Sequence, residues 1–175
     1  MTTKYTKISQ NSLEELKNLN AGEWILYSGE LITIRDSSQT MLIEYYNKEG
    51  KLPFQINNKI IIYAAPTDDI DNTVIGPTTS KRMDDHLDFL LDMGVAATIG
   101  KGDRTKAAIS LIQKYKTPYM VLMSGVSAYL SSFFSERKIL AFEELGPEAI
   151  HLFTASDLPL LMAIDSKGES IFSNY

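Results

Sequence analysis

The sequence predicts an α/β domain with a mixed, partly parallel sheet, and three observations carry that expectation. Strand-like and helix-like segments alternate through the second half of the chain, as strands joined by crossover helices do. One run, KIIIYAAP (59–66), is continuously apolar, the pattern of a strand buried on both faces. No low-complexity linker, internal repeat or compositional break divides the 175 residues. A single domain spanning 1–175 with a real core is therefore expected.

Taken in order, Tyr5–Ile8 reads as a short strand, followed by a helix with Ser12 and Glu15 at capping-box spacing. Glu23–Tyr27 and Leu31–Ile34 read as two strands broken at Ser28-Gly29. Ser37–Lys48 carries Met41, Leu42 and Tyr45 on one helical face, and Gly50 stops it. The KIIIYAAP strand ends at Pro66. A helix from about Ser80 to Met93 has Met83, Leu87, Leu90 and Leu91 at helical spacing, with Gly94 as its end. VAATIG is a strand, Thr105–Tyr115 a helix, and YMVLM a strand whose Met120, Leu122 and Met123 belong to the core. GVSAYLSSFF is a turn entering a helix, and KILAFEEL and AIHLFTA both read as strands. LLMAIDSKGESIF closes as a hairpin turning at Asp165-Ser166-Lys167-Gly168.

Composition narrows the function classes. With 44% hydrophobic and 22% charged residues the chain is an ordinary globular one. A net charge of −5 argues against a nucleic-acid surface. No apolar run reaches the roughly 18 residues that span a bilayer, and MTTKYTKISQNS lacks the apolar core of a signal peptide. A cytoplasmic protein without a membrane partner is expected. There is no cysteine, so the chain has no thiolate nucleophile and no thiolate-held metal of its own. His86 and His151 are its two imidazoles.

The chemistry concentrates at three junctions with one plan: strand, short loop, helix start, and a cation at the join. They are LITIRDSS with Arg35, VIGPTTSKRMDD with Lys81 and Arg82, and AATIGKGDRTK with Lys101 and Arg104. Loops at the carboxyl ends of strands are the ligand-facing edge of an α/β sheet. A cation in the first turn of a helix costs about 0.3–1 kcal/mol unless an anion offsets it. A lone cation in such a place is usually a solvated surface charge, and Asp84, Asp85 and Asp103 offer local ion pairs. Three coincidences point instead to an anion site. Thr78 and Thr79 read most simply as helix caps, gaining a chemical role only if that site is real. GKGDRTK lacks the spacing of a Walker A loop. Asp84, Asp85 and His86 point in different directions from a helix and read as no metal site, with His86 on the surface.

The segments GPTTSKRMD, VAATIGKGDR, MSGVSAYL, LAFEELGPEAI and DLPLLMAIDSKGESIF, with SGELITIRDSSQ upstream, resemble the iron–sulfur (class I) fumarate and tartrate hydro-lyases. The likeness runs from about Gly22 to Phe172 and is to that family's C-terminal domain, a separate beta subunit in two-subunit enzymes. The resemblance implies a swivelling β/β/α domain. It implies reversible dehydration of a 2-hydroxy dicarboxylate, malate to fumarate first and tartrate to oxaloacetate as the alternative. It also implies a [4Fe-4S] cluster ligated by a cysteine-bearing alpha subunit, hence a hetero-oligomer, with a homodimer when the chain is isolated.

By the same resemblance, Arg35, Arg82 and Lys101 hold the substrate carboxylates, and Thr78 matches the threonine proposed as base for the C3 proton, with Thr79 beside it. The chain departs from the family after Arg35-Asp36: Gln39 stands where His is common. Gln39 donates and accepts hydrogen bonds but does not titrate near neutral pH. Lys81 stands where a small residue is common. Two other readings remain open on the residues alone: a non-catalytic anion-binding homologue, and a phosphate-handling enzyme using the Gly100–Arg104 loop.

Overall fold

The structure is a computed structural model that describes residues 4–69, 72–122 and 131–172. Its strands are β1 (Tyr5–Ser9), β2 (Trp24–Thr33), β3 (Ile60–Ile62), β4 (Ala64–Asp69), β5 (Asn72–Pro77), β6 (Ala97–Gly100), β7 (Tyr119–Val121), β8 (Phe134–Ala141) and β9 (Ile150–Ile164). Its α-helices are α1 (Asp36–Glu49), α2 (Leu87–Asp92) and α3 (Lys106–Tyr115). Three segments, Gln10–Asn18, Ser80–His86 and Glu143–Glu148, are 3-10 helices. Among the described residues no helix is long and apolar enough to cross a membrane.

The sheet is mixed, as the alternation of elements predicts. β1, β2, β3, β6 and β7 are mutually parallel, whereas β9 runs antiparallel to β2, β7 and β8. Because β9 bonds β2 along His151–Leu161 and β7 at Leu161–Ile164, the ladder β2-β3-β6-β7-β9 returns to β2 and closes. β4 and β5 form a separate antiparallel ribbon.

Alternation along the strands sorts side chains to the two sides of this ring. Ile60, Ile62, Ala97, Ile99, Met120, Phe153 and Met162 share one core cluster with Ile25 and Leu31. Their odd neighbours Ile61 and Tyr63 pack instead with Leu42 of α1 and Leu90 of α2, and Tyr119 packs with Ile112 of α3. The three consecutive isoleucines 60–62 are fully buried on both faces, each worth roughly 1.5–3 kcal/mol of transfer free energy.

Several boundaries differ from expectation. Ser28-Gly29 does not break β2. The irregularity lies in the partner strand β9, where Asp157 takes a left-handed φ of 49° and donates its N–H to Ser28 Oγ at 2.9 Å. The first cap forms one turn earlier than Ser12/Glu15: Ser9 N–H donates to Ser12 Oγ at 2.9 Å. Pro66 sits inside β4, on the ribbon, rather than ending a strand. Ser80–Met93 is not one α-helix, because His86 (φ −117°, ψ 10°) separates the 3-10 turn from α2. FEEL leaves the strand at Phe142, whose left-handed φ of 59° opens the Glu143–Glu148 helix. After β9 the predicted hairpin shrinks to a turn with one bridge, Ile164 to Ser170. MSGVSAYL, Met123 and the first six residues of GVSAYLSSFF lie outside the described residues.

Candidate functional site

Parallel neighbours β2, β3 and β6 end on the same edge of the sheet, and each ending delivers a piece of the site. After β2 the chain enters α1, where Arg35 N–H donates to Ser38 Oγ at 3.0 Å and Gln39 N–H to Arg35 O at 2.8 Å. At the end of β3, Tyr63 O accepts from Thr78 N–H at 2.7 Å, docking the GPTTSKR segment on the edge. After β6, Lys101 pairs with Thr79 as an isolated parallel bridge.

The cations expected to gather do so in part. Arg82 Nη2 lies 2.8 Å from Asp36 Oδ2, and Arg35 Nη2 lies 4.0 Å from the same oxygen. Two guanidiniums from different elements thus converge on one carboxylate. Arg35 Nη1 also faces Glu148 Oε1 at 3.6 Å. The hydrogen bond from Ser37, then the charges of Arg35 and Arg82, hold the Glu148 carboxyl below its ordinary range against an opposing effect of burial. Lys101 stands beside Thr79, is exposed, and makes no ion pair among the described residues. Gln39 is 1% exposed, and neither of its amide atoms has a hydrogen-bond partner among the described residues.

Two expectations are corrected, those for Arg104 and Thr79, while the local ion pairs open to Asp84 and Asp103 form. Arg104 is no site cation: its side chain is fully buried, donating Nε–H to Asp84 Oδ1 at 2.5 Å. Its guanidinium lies 5.3 Å and 4.9 Å from the ring centroids of Tyr63 and Tyr119. Asp84 also accepts from Thr105 N–H at 2.7 Å, so the pair ties the Ser80–His86 turn to the start of α3. Thr79 precedes the 3-10 helix but its side chain makes no cap bond. Lys81 is neutralised by Asp103 at 3.6 Å, which with the Arg82–Asp36 pair offsets the cost of cations in a first turn.

Sequence reasoning missed the groups that hold this edge together. Ser80 is buried, and its Oγ accepts from Lys101 N–H at 3.1 Å and lies 2.8 Å from Tyr119 Oη. Gly100 is the visible trace of this contact: a Cβ there would stand 1.9 Å from Ser80 Oγ. Glu148 was equally silent, since it lies in none of the three strand–loop–helix junctions.

The chain has relatives across most of its length. A family model described as Fumarase C-terminus matches residues 2–175. A protein of Methanocaldococcus jannaschii, provisionally named L(+)-tartrate dehydratase subunit beta, is 32% identical over 168 residues, covering 91% of this chain and 86% of that one. The L(+)-tartrate dehydratase subunit beta of Escherichia coli K12 is 28% identical over 168 residues, with 91% and 82% covered. Fumarate hydratase 2 of Leishmania major is 28% identical over 165 residues, and there the chain spans only 29% of the relative's length. The chain belongs to the Fumarase C-terminus family, the one toward which its GPTTSKRMD and IRDSSQ motifs point.

Proposed function

We propose that the chain is the beta subunit of a hydro-lyase that reversibly dehydrates a 2-hydroxy dicarboxylate. The observation that carries this reading is the convergence of Arg35 and Arg82 on one carboxylate oxygen at the carboxyl edge of β2, β3 and β6. Planar guanidiniums that already share one carboxylate are arranged to receive another. In this reading Arg35 and Arg82 take one substrate carboxylate and Lys101 the other. Thr79 and Gln39 line the same site, Gln39 offering an amide with unspent hydrogen-bonding capacity. Clamping a dianion between fixed cations supplies orientation and stabilises charge developing next to the carboxylates.

The reaction breaks the C3–H and C2–O bonds, forms the double bond, and releases the proton and hydroxide together as water. A neutral threonine is a very weak base, so Thr78 passes the C3 proton onward rather than keeping it. The iron–sulfur cluster implied by the motifs does not fit this chain's own donors. The sequence has no cysteine, and among the described residues no three His, Asp or Glu gather as ligands. The proposal assigns the [4Fe-4S] cluster to a cysteine-bearing alpha subunit and leaves this chain the carboxylate clamp and the proton path. It takes 1–175 as one cytoplasmic, swivelling β/β/α domain that works in a hetero-oligomer and forms a homodimer when alone.

Malate and fumarate are the leading substrate pair. Tartrate and oxaloacetate are the second reading, favoured by the names of the M. jannaschii and E. coli relatives. The phosphate-handling alternative loses its second cation, because Arg104 is committed to Asp84. Anaerobic co-expression with the alpha subunit should yield a brown complex that hydrates fumarate or dehydrates tartrate. An intact brown complex that turns over neither would sink the assignment. Arg82→Ala should lower kcat/KM by on the order of a hundredfold with assembly unchanged; wild-type turnover would remove Arg82 from the clamp.

A further inference from the structure

Lys101 differs from the arginines in making no ion pair among the described residues, and its backbone is held from both sides. Ser80 N–H donates to Lys101 O at 3.0 Å, while Lys101 N–H donates to Ser80 Oγ at 3.1 Å. A single residue thereby takes both backbone groups of the lysine. Tyr119 Oη lies 2.8 Å from Ser80 Oγ and 2.8 Å from Gly102 O. The proton count fixes the direction of this chain. A carbonyl only accepts, so the phenol proton goes to Gly102 O, and the Ser80 proton must go to Tyr119 Oη. That leaves a Ser80 lone pair for Lys101 N–H. Every proton in the path Lys101 N–H, Ser80 Oγ–H, Tyr119 Oη–H, Gly102 O is placed, and the path begins and ends on the loop that carries Lys101.

The path is also built to stay as it is. Tyr119 is fully buried, with its ring facing the Arg104 guanidinium at 4.9 Å. Burial raises the phenol pKa, which keeps the donor protonated. The notch that admits Ser80 Oγ exists because residue 100 has no Cβ. A surface lysine loses much rotamer and backbone freedom when it must meet a ligand. Here the backbone share is already fixed before any ligand arrives.

We propose that Ser80 and Tyr119 are positioning residues for Lys101, a hydroxyl chain that sets the lysine's backbone so that its ammonium meets the second carboxylate of a dianionic substrate. The inference rests on the functional reading above. The test is a double-mutant cycle in the assembled two-subunit enzyme, combining Tyr119→Phe with Lys101→Met, and Ser80→Ala with Lys101→Met. Amide exchange at Lys101 N–H is followed in each variant. Tyr119→Phe should speed exchange at Lys101 by about tenfold, the loss of one hydrogen-bonded anchor. It should also lower kcat/KM by about tenfold, yet add nothing once Lys101 is methionine. Losses that multiply in the double variant would assign Tyr119 to general stability and overturn the proposal. If Lys101→Met turns over like wild type, the clamp assignment of Lys101 falls, and the exchange rate alone then decides whether the hydroxyl chain sets its backbone. Unchanged exchange in both Tyr119→Phe and Ser80→Ala overturns the positioning role in either case. Should Tyr119→Phe fail to fold, Ser80→Ala carries the same cycle.

Discussion

Glu148 lies 3.6 Å from Arg35 Nη1, so in the proposed clamp this carboxylate shares the arginine with any bound anion. Its pKa is lowered by the Ser37 hydrogen bond and by the neighbouring guanidiniums, so folding favours its ionised form. The stabilisation is complete above the ordinary carboxylate pKa and disappears as pH falls through the lower, folded value. Melting temperature followed from neutral pH into the acid range should therefore fall less steeply for Glu148→Gln than for wild type. Identical slopes would show that folding does not lower the Glu148 pKa. Arg35 and Arg82 stand out in the sequence because each places a cation at a helix start, against local preference, whereas Lys101 lies in the loop ahead of α3. Glu148 and Tyr119 were not legible, since they act on partners far along the chain: Tyr119 meets a serine 39 residues away. Arg104 shows the limit of the same signal, because a cation at a strand–helix junction can equally be a buried tie.

The element that presents Arg35 is α1, and its first turn depends on one hydroxyl. Ser38 Oγ accepts from Arg35 N–H at 3.0 Å and donates to Arg35 O at 3.2 Å, closing both backbone groups of the arginine. Ser38→Ala should cost about 1 kcal/mol in chemical denaturation, the size of a lost cap. Stability equal to wild type would mean that Arg35 holds its backbone without that cap. The other end of α1 was readable: Gly50 takes φ 67° and ends the helix where its sequence position predicts. The Ser80–His86 turn was readable as helical but not as 3-10, because Met83, Leu87 and Leu90 satisfy either periodicity over so short a span. Phe142 ends β8 by entering a left-handed conformation, and no glycine or asparagine announces it.

At the scale of the whole molecule, the closed ladder β2-β3-β6-β7-β9 is the frame on which the proposed clamp stands. Alternating strands and helices predicted a mixed sheet. Closure was not legible, since it depends on one 15-residue strand bonding β2 and β7 at once. Amide exchange should be slowest along β2, β3, β6, β7 and β9 together, and faster on edge strand β8 and the β4–β5 ribbon. Exchange of β9 as fast as that of β8 would mean that the ring opens as readily as an edge frays.

That closure also sets an order of events during synthesis. β2, β3, β6 and β7, which carry Arg35, the Tyr63 anchor of Thr78, Lys101 and Tyr119, leave the ribosome before Ile150–Ile164 does. Until that last strand arrives, the open flanks of β2 and β7 expose unpaired amides and carbonyls to other nascent chains. The pairing of Thr33 with His151, 118 residues apart, is a contact that slows folding. The residues of the proposed clamp are thus translated early while the ring beneath them closes late, and a ribosome that stalls before residue 150 releases a four-stranded ladder with two open flanks.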